Sequence, residues 1–175
     1  MRDRIETPRL TLRRLRGDDA GALSALADDA GVARMLTRMP HPCPPEATAA
    51  YIRGCEGEPW VYCVTLAEAP IGAVAVEARL GYWIGRPYWG RGYAFEAASA
   101  LVDAWFTASD TPLETGVFAD NPASRRILAR LGFRETGRRL QASLGRPEPD
   151  DYITMRLDGD DWRAARRIDR AEQEE

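Results

Sequence analysis

The stretch LGYWIGRPYWGRGYAFEAASALVDAWF, residues 80–106, changes its repeat halfway along. Residues 80–84 form a short apolar and aromatic run bounded by glycine, the pattern of a buried strand. A glycine-rich turn follows, Trp89-Gly90-Arg91-Gly92-Tyr93-Ala94. From Ala94 the repeat turns helical: Ala97, Ala98, Leu101, Val102, Trp105 and Phe106 recur at three- and four-residue intervals and make one apolar face. Strand, glycine turn and helix in that order aim several backbone N–H groups and a helix dipole at one point. Gly90 and Gly92 let the main chain approach an anion with no Cβ in the way. The turn reads as a seat for a phosphate-bearing ligand.

Absences narrow the ligand. The chain has no lysine, so all 24 basic residues are arginine. A Walker-type loop needs Gly-Lys-Ser/Thr, and a pyridoxal phosphate Schiff base needs a lysine, so neither fits. A dinucleotide fingerprint wants a third glycine where Phe95 stands. On this motif alone, an ordinary strand-to-helix turn stays open.

A second stretch, NPASRRILARLGF at residues 121–133, is locally a capped helix. Asn121 suits the N-cap, Pro122 the first helical position and Gly132 the left-handed stop. Together the two stretches resemble the GNAT superfamily of N-acetyltransferases. The family's diphosphate loop, Gln/Arg-x-x-Gly-x-Gly/Ala, is similar to residues 89–94, with Trp89 in place of the usual Gln/Arg. Its Asn-x-x-Ser/Ala helix ending in Leu-Gly-Phe is similar to residues 121–133. Residues 88–97, the opening Glu6-Thr7-Pro8-Arg9-Leu10-Thr11-Leu12-Arg13 and the Gly81-Tyr82-Trp83-Ile84 strand further resemble the branch of ribosomal-protein N-terminal acetyltransferases. These motifs span residues 6–157 in family order.

The succession of elements suggests an α/β (α+β) layer, a twisted, mixed but mostly antiparallel sheet with helices on both faces; the resemblance makes it a GNAT-like sheet of about six to seven strands. Leu10, Leu12 and Leu15 mark a first strand, and Leu23 and Leu26 an early helix continued over residues 32–39. The proline-rich residues 40–45 are a loop before a helix near residues 46–55; the resemblance makes these helices and their loop the wall of the acceptor side. Strands are expected at 60–66, 71–76, 113–118, 133–140 and 152–157, with a turn near Ala69-Pro70 and a loop over 141–151. Residues 1–157 read as one GNAT-like domain, and residues 158–175 as a charged tail anchored by Trp162 and Ile168, helical at first and then frayed.

A length of 175 residues suits a single core. A net charge of −3 gives no electrostatic case for nucleic acid. Cys43, Cys55 and Cys63 lack metal spacing and read as reduced thiols. No signal peptide or membrane span is evident. The expectation is a cytoplasmic, bacterial enzyme without a metal, monomeric or homodimeric. Its partners are acetyl-CoA and an amine acceptor, a peptide N-terminus or a small amine such as an antibiotic or polyamine.

Acetyl transfer from a thioester to an amine needs a held donor, a neutral amine and stabilised charge on the carbonyl oxygen and leaving sulfur. Holding falls to the turn, where the amides of Arg91, Gly92, Tyr93 and Ala94 face the diphosphate of acetyl-CoA. Arg91's side chain reads either as an added charge there or as a solvent-facing group. The resemblance implies that the main chain of Trp83, Ile84 and Gly85 pairs with the pantetheine arm. An N–H there would steady the oxyanion, a role worth roughly 3–4 kcal/mol in other enzymes. Asn121 is a cap on its spacing, and the resemblance adds a cofactor contact.

Many GNAT members protonate the thiolate with a tyrosine four residues before Gly-Phe, where this chain has Leu128. Ser124 is the substitute found in the N-terminal acetyltransferase branch; as a polar residue in a first helical turn it also has an ordinary reading. Glu77, at the entry to the central strand, is the candidate base acting through a water, and equally an exposed turn glutamate. Glu96, Glu114 and Asp120 are lesser candidates, and His41 reads as a solvated loop residue. The acidic residues Glu148, Asp150 and Asp151 would draw a cationic acceptor. A non-catalytic acyl-CoA-binding module and a nucleotide-dependent oxidoreductase stay as rival functions.

Overall fold

The computed structural model describes the backbone of residues 3–173 and the side chains of residues 3–166. Among the described residues, eight strands alternate with six α-helices. β1 (Arg4–Glu6) and β2 (Thr11–Arg13) open the chain, followed by α1 (Ala20–Ala27), α2 (Ala30–Ala33) and α3 (Pro45–Gly54). Then come β3 (Val61–Leu66), β4 (Ala69–Val76), β5 (Leu80–Ile84), α4 (Tyr93–Ala108), β6 (Leu113–Phe118) and α5 (Pro122–Arg130). β7 (Arg134–Gln141), β8 (Asp150–Leu157) and α6 (Gly159–Gln173) complete it. Every paired strand is antiparallel. The strands make a five-stranded sheet in the order β1-β2-β3-β4-β5 and a three-stranded sheet in the order β6-β8-β7.

The expected class is therefore observed, with two refinements. Residues 4–6 add a strand by pairing back on β2, which takes the count to eight. The ladder is also interrupted between β5 and β6, so one sheet becomes two. That interruption positions the site.

Side chains alternate across β5. Leu80, Tyr82 and Ile84 join the main core with Ala97, Ala98, Leu101 and Val102 of α4. Trp83 packs on the opposite face against Ala20 and Leu23 of α1 and Ile52 of α3. Helices thus cover both faces. The small Ala97 and Ala98 let α4 lie close to the sheet, and burying Leu101 alone contributes about 2 kcal/mol.

Two expected boundaries move. The β3–β4 turn falls at Ala67 and Glu68, with φ of 47° and 68°, rather than at Ala69-Pro70. Two positive φ values define a type I′ hairpin, but Ala-Glu lacks the Asn-Gly signature that announces one. The helix expected over 32–39 stops at Ala33. The carbonyls of Arg34, Leu36 and Thr37 instead accept from Arg146 Nε (2.7 Å), Ser143 Oγ (2.5 Å) and Leu144 N (3.2 Å). Partners more than a hundred residues away override the local helical pattern.

The charged tail forms α6. Trp162 sits in the main core and donates its indole N–H to Asp103 Oδ1 at 3.0 Å. The other expected anchor, Ile168, lies outside the described side chains.

Candidate active site

The glycine turn between β5 and α4 has the backbone its composition requires. Gly90 and Gly92 have φ of 73° and 79°, values that residues with a Cβ adopt only under strain. Gly92 is the N-cap of α4 and supplies no side-chain cap. The amides of residues 91–94 accordingly have no acceptor among the described residues, as the first turn of a helix leaves them. With the helix dipole behind them, these amides make the turn a place where an anion is favoured.

Trp89 does something the sequence did not foreshadow. Its indole Nε1 donates to the carbonyl of Ile84 at 2.6 Å, fastening the turn to the end of β5. Just under half of its surface stays exposed.

Antiparallel pairing decides which groups of β5 face the gap. The amide of Gly85 donates to Ile71 O at 2.8 Å, so in this register Gly85, Trp83 and Gly81 spend their main-chain groups on β4. Leu80, Tyr82 and Ile84 turn theirs away. Two of those carbonyls are already used: Leu80 O accepts from Thr115 Oγ1 on β6 at 2.7 Å, and Ile84 O from Trp89. The N–H and C=O of Tyr82 and the N–H of Ile84 remain. Of the three residues expected to meet the pantetheine arm, only Ile84 presents its amide to the gap, and Tyr82 joins it.

α5 brings the hydroxyl. Asn121 Oδ1 accepts from the amide of Ser124 at 3.0 Å, an N-cap in the expected place. Gly132, with φ of 92°, and the bond from Phe133 N to Leu128 O at 3.0 Å close the helix with a Schellman turn. Ser124 Oγ lies 2.8 Å from Tyr82 Oη. Burial raises the pKa of the Tyr82 phenol well above its ordinary value, and the hydrogen bond with Ser124 only partly opposes that. The phenol therefore stays protonated and can donate. Sequence reasoning missed Tyr82; the available signal was its place on the core face of β5, where a phenol needs a polar partner.

The carboxylates divide by partner. Glu77 Oε2 is ion-paired with Arg38, whose guanidinium stands 5.9 Å from the ring centre of Tyr51. Glu77 makes no hydrogen bond to Ser124 or Tyr82 among the described residues. Glu96 is taken up by Thr7 and Arg9. Asp120 is bound by Arg34 and by Arg146 Nη2, the latter at 2.7 Å, and these guanidinium groups hold its pKa below the usual value. Glu114 is exposed on β6.

Asp150 is 2.5 Å from Arg146 Nη1. Of Glu148, Asp150 and Asp151, the acids expected to draw a cation, Asp150 is thus paired with a nearly buried arginine, and it lines a cleft together with Glu148. That cleft, about 580 Å³, is lined by Arg34, His41, Arg146, Glu148 and Asp150. His41 Nδ1 lies 3.4 Å from Asp28 Oδ1. No cluster of metal-ligating side chains occurs among the described residues, and none of their helices is long and apolar enough to cross a membrane.

The chain is similar to known proteins in sequence and in fold. The family described as Acetyltransferase (GNAT) domain matches residues 9–134. An uncharacterized N-acetyltransferase p20 of Bacillus licheniformis is 28% identical over 148 residues, 76% of this chain and 83% of the relative. A GNAT-family acetyltransferase structure from Bacillus anthracis superposes with a TM-score of 0.79 at 19% identity, over 90% of this chain and 99% of that one. Mycobacterium smegmatis RimJ in complex with CoA-disulfide gives 0.75 at 24% identity, over 93% and 89%. The RimL ribosomal L7/L12 alpha-N-protein acetyltransferase in complex with coenzyme A gives 0.76 at 19% identity, over 89% and 97%. With the family match covering most of its length, the chain belongs to the GNAT acetyltransferases and is an acyltransferase that uses acetyl-CoA.

Proposed function

We propose that the protein acetylates a peptide or protein N-terminal α-amine, by direct attack of the amine on the thioester in a ternary complex. The observation that carries this reading is the Tyr82–Ser124 hydroxyl pair at the edge of β5, where the chain lacks the family's usual tyrosine. Acetyl-CoA supplies an acyl carbon open to a neutral amine. The amides of Arg91, Gly92, Tyr93 and Ala94 hold the diphosphate, with Trp89 and Gly90 shaping the loop. Tyr82 and Ile84 meet the pantetheine arm with the main-chain groups that β4 leaves free. Asn121 fixes the start of α5 and with it Ser124.

Ser124 Oγ donates its proton to the departing sulfur as the C–S bond breaks and the C–N bond forms. Tyr82 Oη keeps its own proton and donates a hydrogen bond to Ser124 Oγ, steadying the serine oxygen until solvent, which receives the amine proton from Glu77, reprotonates it. Glu77 Oε1, opposite the oxygen that Arg38 occupies, takes the amine proton through a water. A base placed at one remove suits an α-amine, roughly 9% of which is neutral at pH 7 against roughly 0.04% of a lysine ε-amine. The structural neighbour RimL, a ribosomal L7/L12 alpha-N-protein acetyltransferase, supports the same acceptor class.

The test is turnover with acetyl-CoA, followed as free thiol, on a panel of peptides with free N-termini beside polyamines and aminoglycosides. Mass spectrometry should locate the acetyl group on the peptide α-amine. Turnover confined to polyamines or aminoglycosides would overturn the acceptor assignment. Tight CoA binding with no turnover on any amine would instead make the protein an acyl-CoA-binding module.

A further inference from the structure

The N-terminal Thr7-Pro8-Arg9 segment closes over the glycine turn. Arg9 Nη1 donates to the carbonyl of Arg91 at 2.9 Å. Its Nε donates to Glu96 Oε2 at 2.7 Å, and Nη2 stands 2.6 Å from the same oxygen. Its guanidinium carbon lies 4.7 Å from the ring centre of Tyr93. The other oxygen, Glu96 Oε1, accepts from Thr7 Oγ1 at 2.6 Å and from the Arg9 amide at 2.9 Å. One side chain therefore touches residues 91, 93 and 96, the whole entry to α4.

Two consequences follow from elementary geometry and charge. The C=O and N–H of a trans peptide point in opposite directions. Holding the Arg91 carbonyl toward Arg9 turns the Gly92 amide the other way, to the open side of the turn. Glu96 also places a carboxylate in the first turn of α4, which suits the helix dipole but opposes an incoming anion. Arg9 neutralises it.

We propose that Arg9 is a positioning residue for acetyl-CoA: it presets the glycine turn and masks Glu96, so that the turn is ready for the diphosphate. This rests on the reading of the turn given above.

The test compares two donors, acetyl-CoA and S-acetyl-pantetheine, which has the thioester arm but no diphosphate. Wild type should favour acetyl-CoA in kcat/KM. Arg9→Ala should raise the KM for acetyl-CoA about tenfold with kcat within about twofold, and leave kcat/KM for S-acetyl-pantetheine unchanged. Arg9→Lys keeps a charge against Glu96 but cannot also span to the Arg91 carbonyl. It should show a smaller rise of the same kind, and it carries the test if Arg9→Ala does not fold. Equal losses on both donors, or an unchanged KM for acetyl-CoA, would overturn the positioning role while sparing the turn. If wild type used both donors equally well, the diphosphate reading of the turn would fall, and the role of Arg9 with it.

Discussion

Tyr82 and Ser124, forty-two residues apart, place their hydroxyl oxygens 2.8 Å from each other across the interruption between the two sheets. The same phenol lies 3.3 Å from the Ser124 carbonyl, so β5 and α5 are tied together where no backbone ladder joins β5 to β6. Ser124→Ala should lower kcat about 100-fold and leave CoA affinity within about twofold, since general acid catalysis commonly supplies that much. Tyr82→Phe removes only the second hydroxyl and should cost about tenfold in kcat. Single-turnover kinetics with calorimetric CoA titration would separate these effects from binding. Two variants with wild-type turnover would remove both residues from the chemistry.

Gly72 on β4 bears on the same strand from behind. A Cβ there would sit 2.1 Å from the Trp83 carbonyl oxygen and 2.9 Å from Ile84 Cα. Both are backbone atoms, so β5 itself must move. Gly72→Ala should destabilise by about 2–3 kcal/mol and raise the KM for acetyl-CoA. Gly81, whose Cβ would meet nothing within 4 Å, is the control, and Gly81→Ala should be neutral or slightly stabilising. Urea titration and donor kinetics on the pair measure both effects.

Arg146 anchors the loop over the cleft. Its side chain is 6% exposed, lies 3.9 Å from the ring centre of Phe118, and reaches Asp120, Asp150 and the Arg34 carbonyl. Arg146→Ala should free residues 142–149 from α2 and speed hydrogen exchange at the Leu144 amide, which donates to Thr37 O. If the cleft receives the acceptor, the acceptor KM should rise while the KM for acetyl-CoA stays unchanged. The reverse split would move the acceptor elsewhere.

What the sequence disclosed followed range. Strand 80–84, the turn and α4 are written in local periodicity and glycine placement, and Asn121, Pro122 and Gly132 announce the caps of α5. The Tyr82–Ser124 pair, the clasp of Arg9 on Glu96 and the pairing of Asp120 with Arg34 and Arg146 join residues distant in sequence, so no local spacing encodes them. Glu77 shows the limit: its position at a strand entry was legible, its ion pair with Arg38 was not. The early end of α2 is the same lesson in the backbone, because the bonds that end it come from residues 143–146.

The acid side of the stability profile should trace to Asp19. Its carboxylate accepts from Arg13 Nη1 and Nη2, both at 2.7 Å, and from the Arg16 amide at 2.8 Å. Both side chains are almost fully buried, at 5% and 8% exposure. Burial pushes the Asp19 pKa up, yet the bonds from Arg13 and Arg16 outweigh it and hold the folded-state value below the ordinary one. Below that ordinary value the unfolded chain binds the extra proton, so stability rises with pH through this range. The contribution is complete above about pH 4 and is lost as pH falls through the depressed folded value. Asp19→Asn leaves Arg13 buried opposite a neutral group and should cost about 3 kcal/mol at pH 7. Because wild type itself loses the charged pair in acid, the gap between the two proteins should narrow steadily below pH 4 in urea titrations; a gap that stayed constant there would show that Asp19 does not titrate with unfolding.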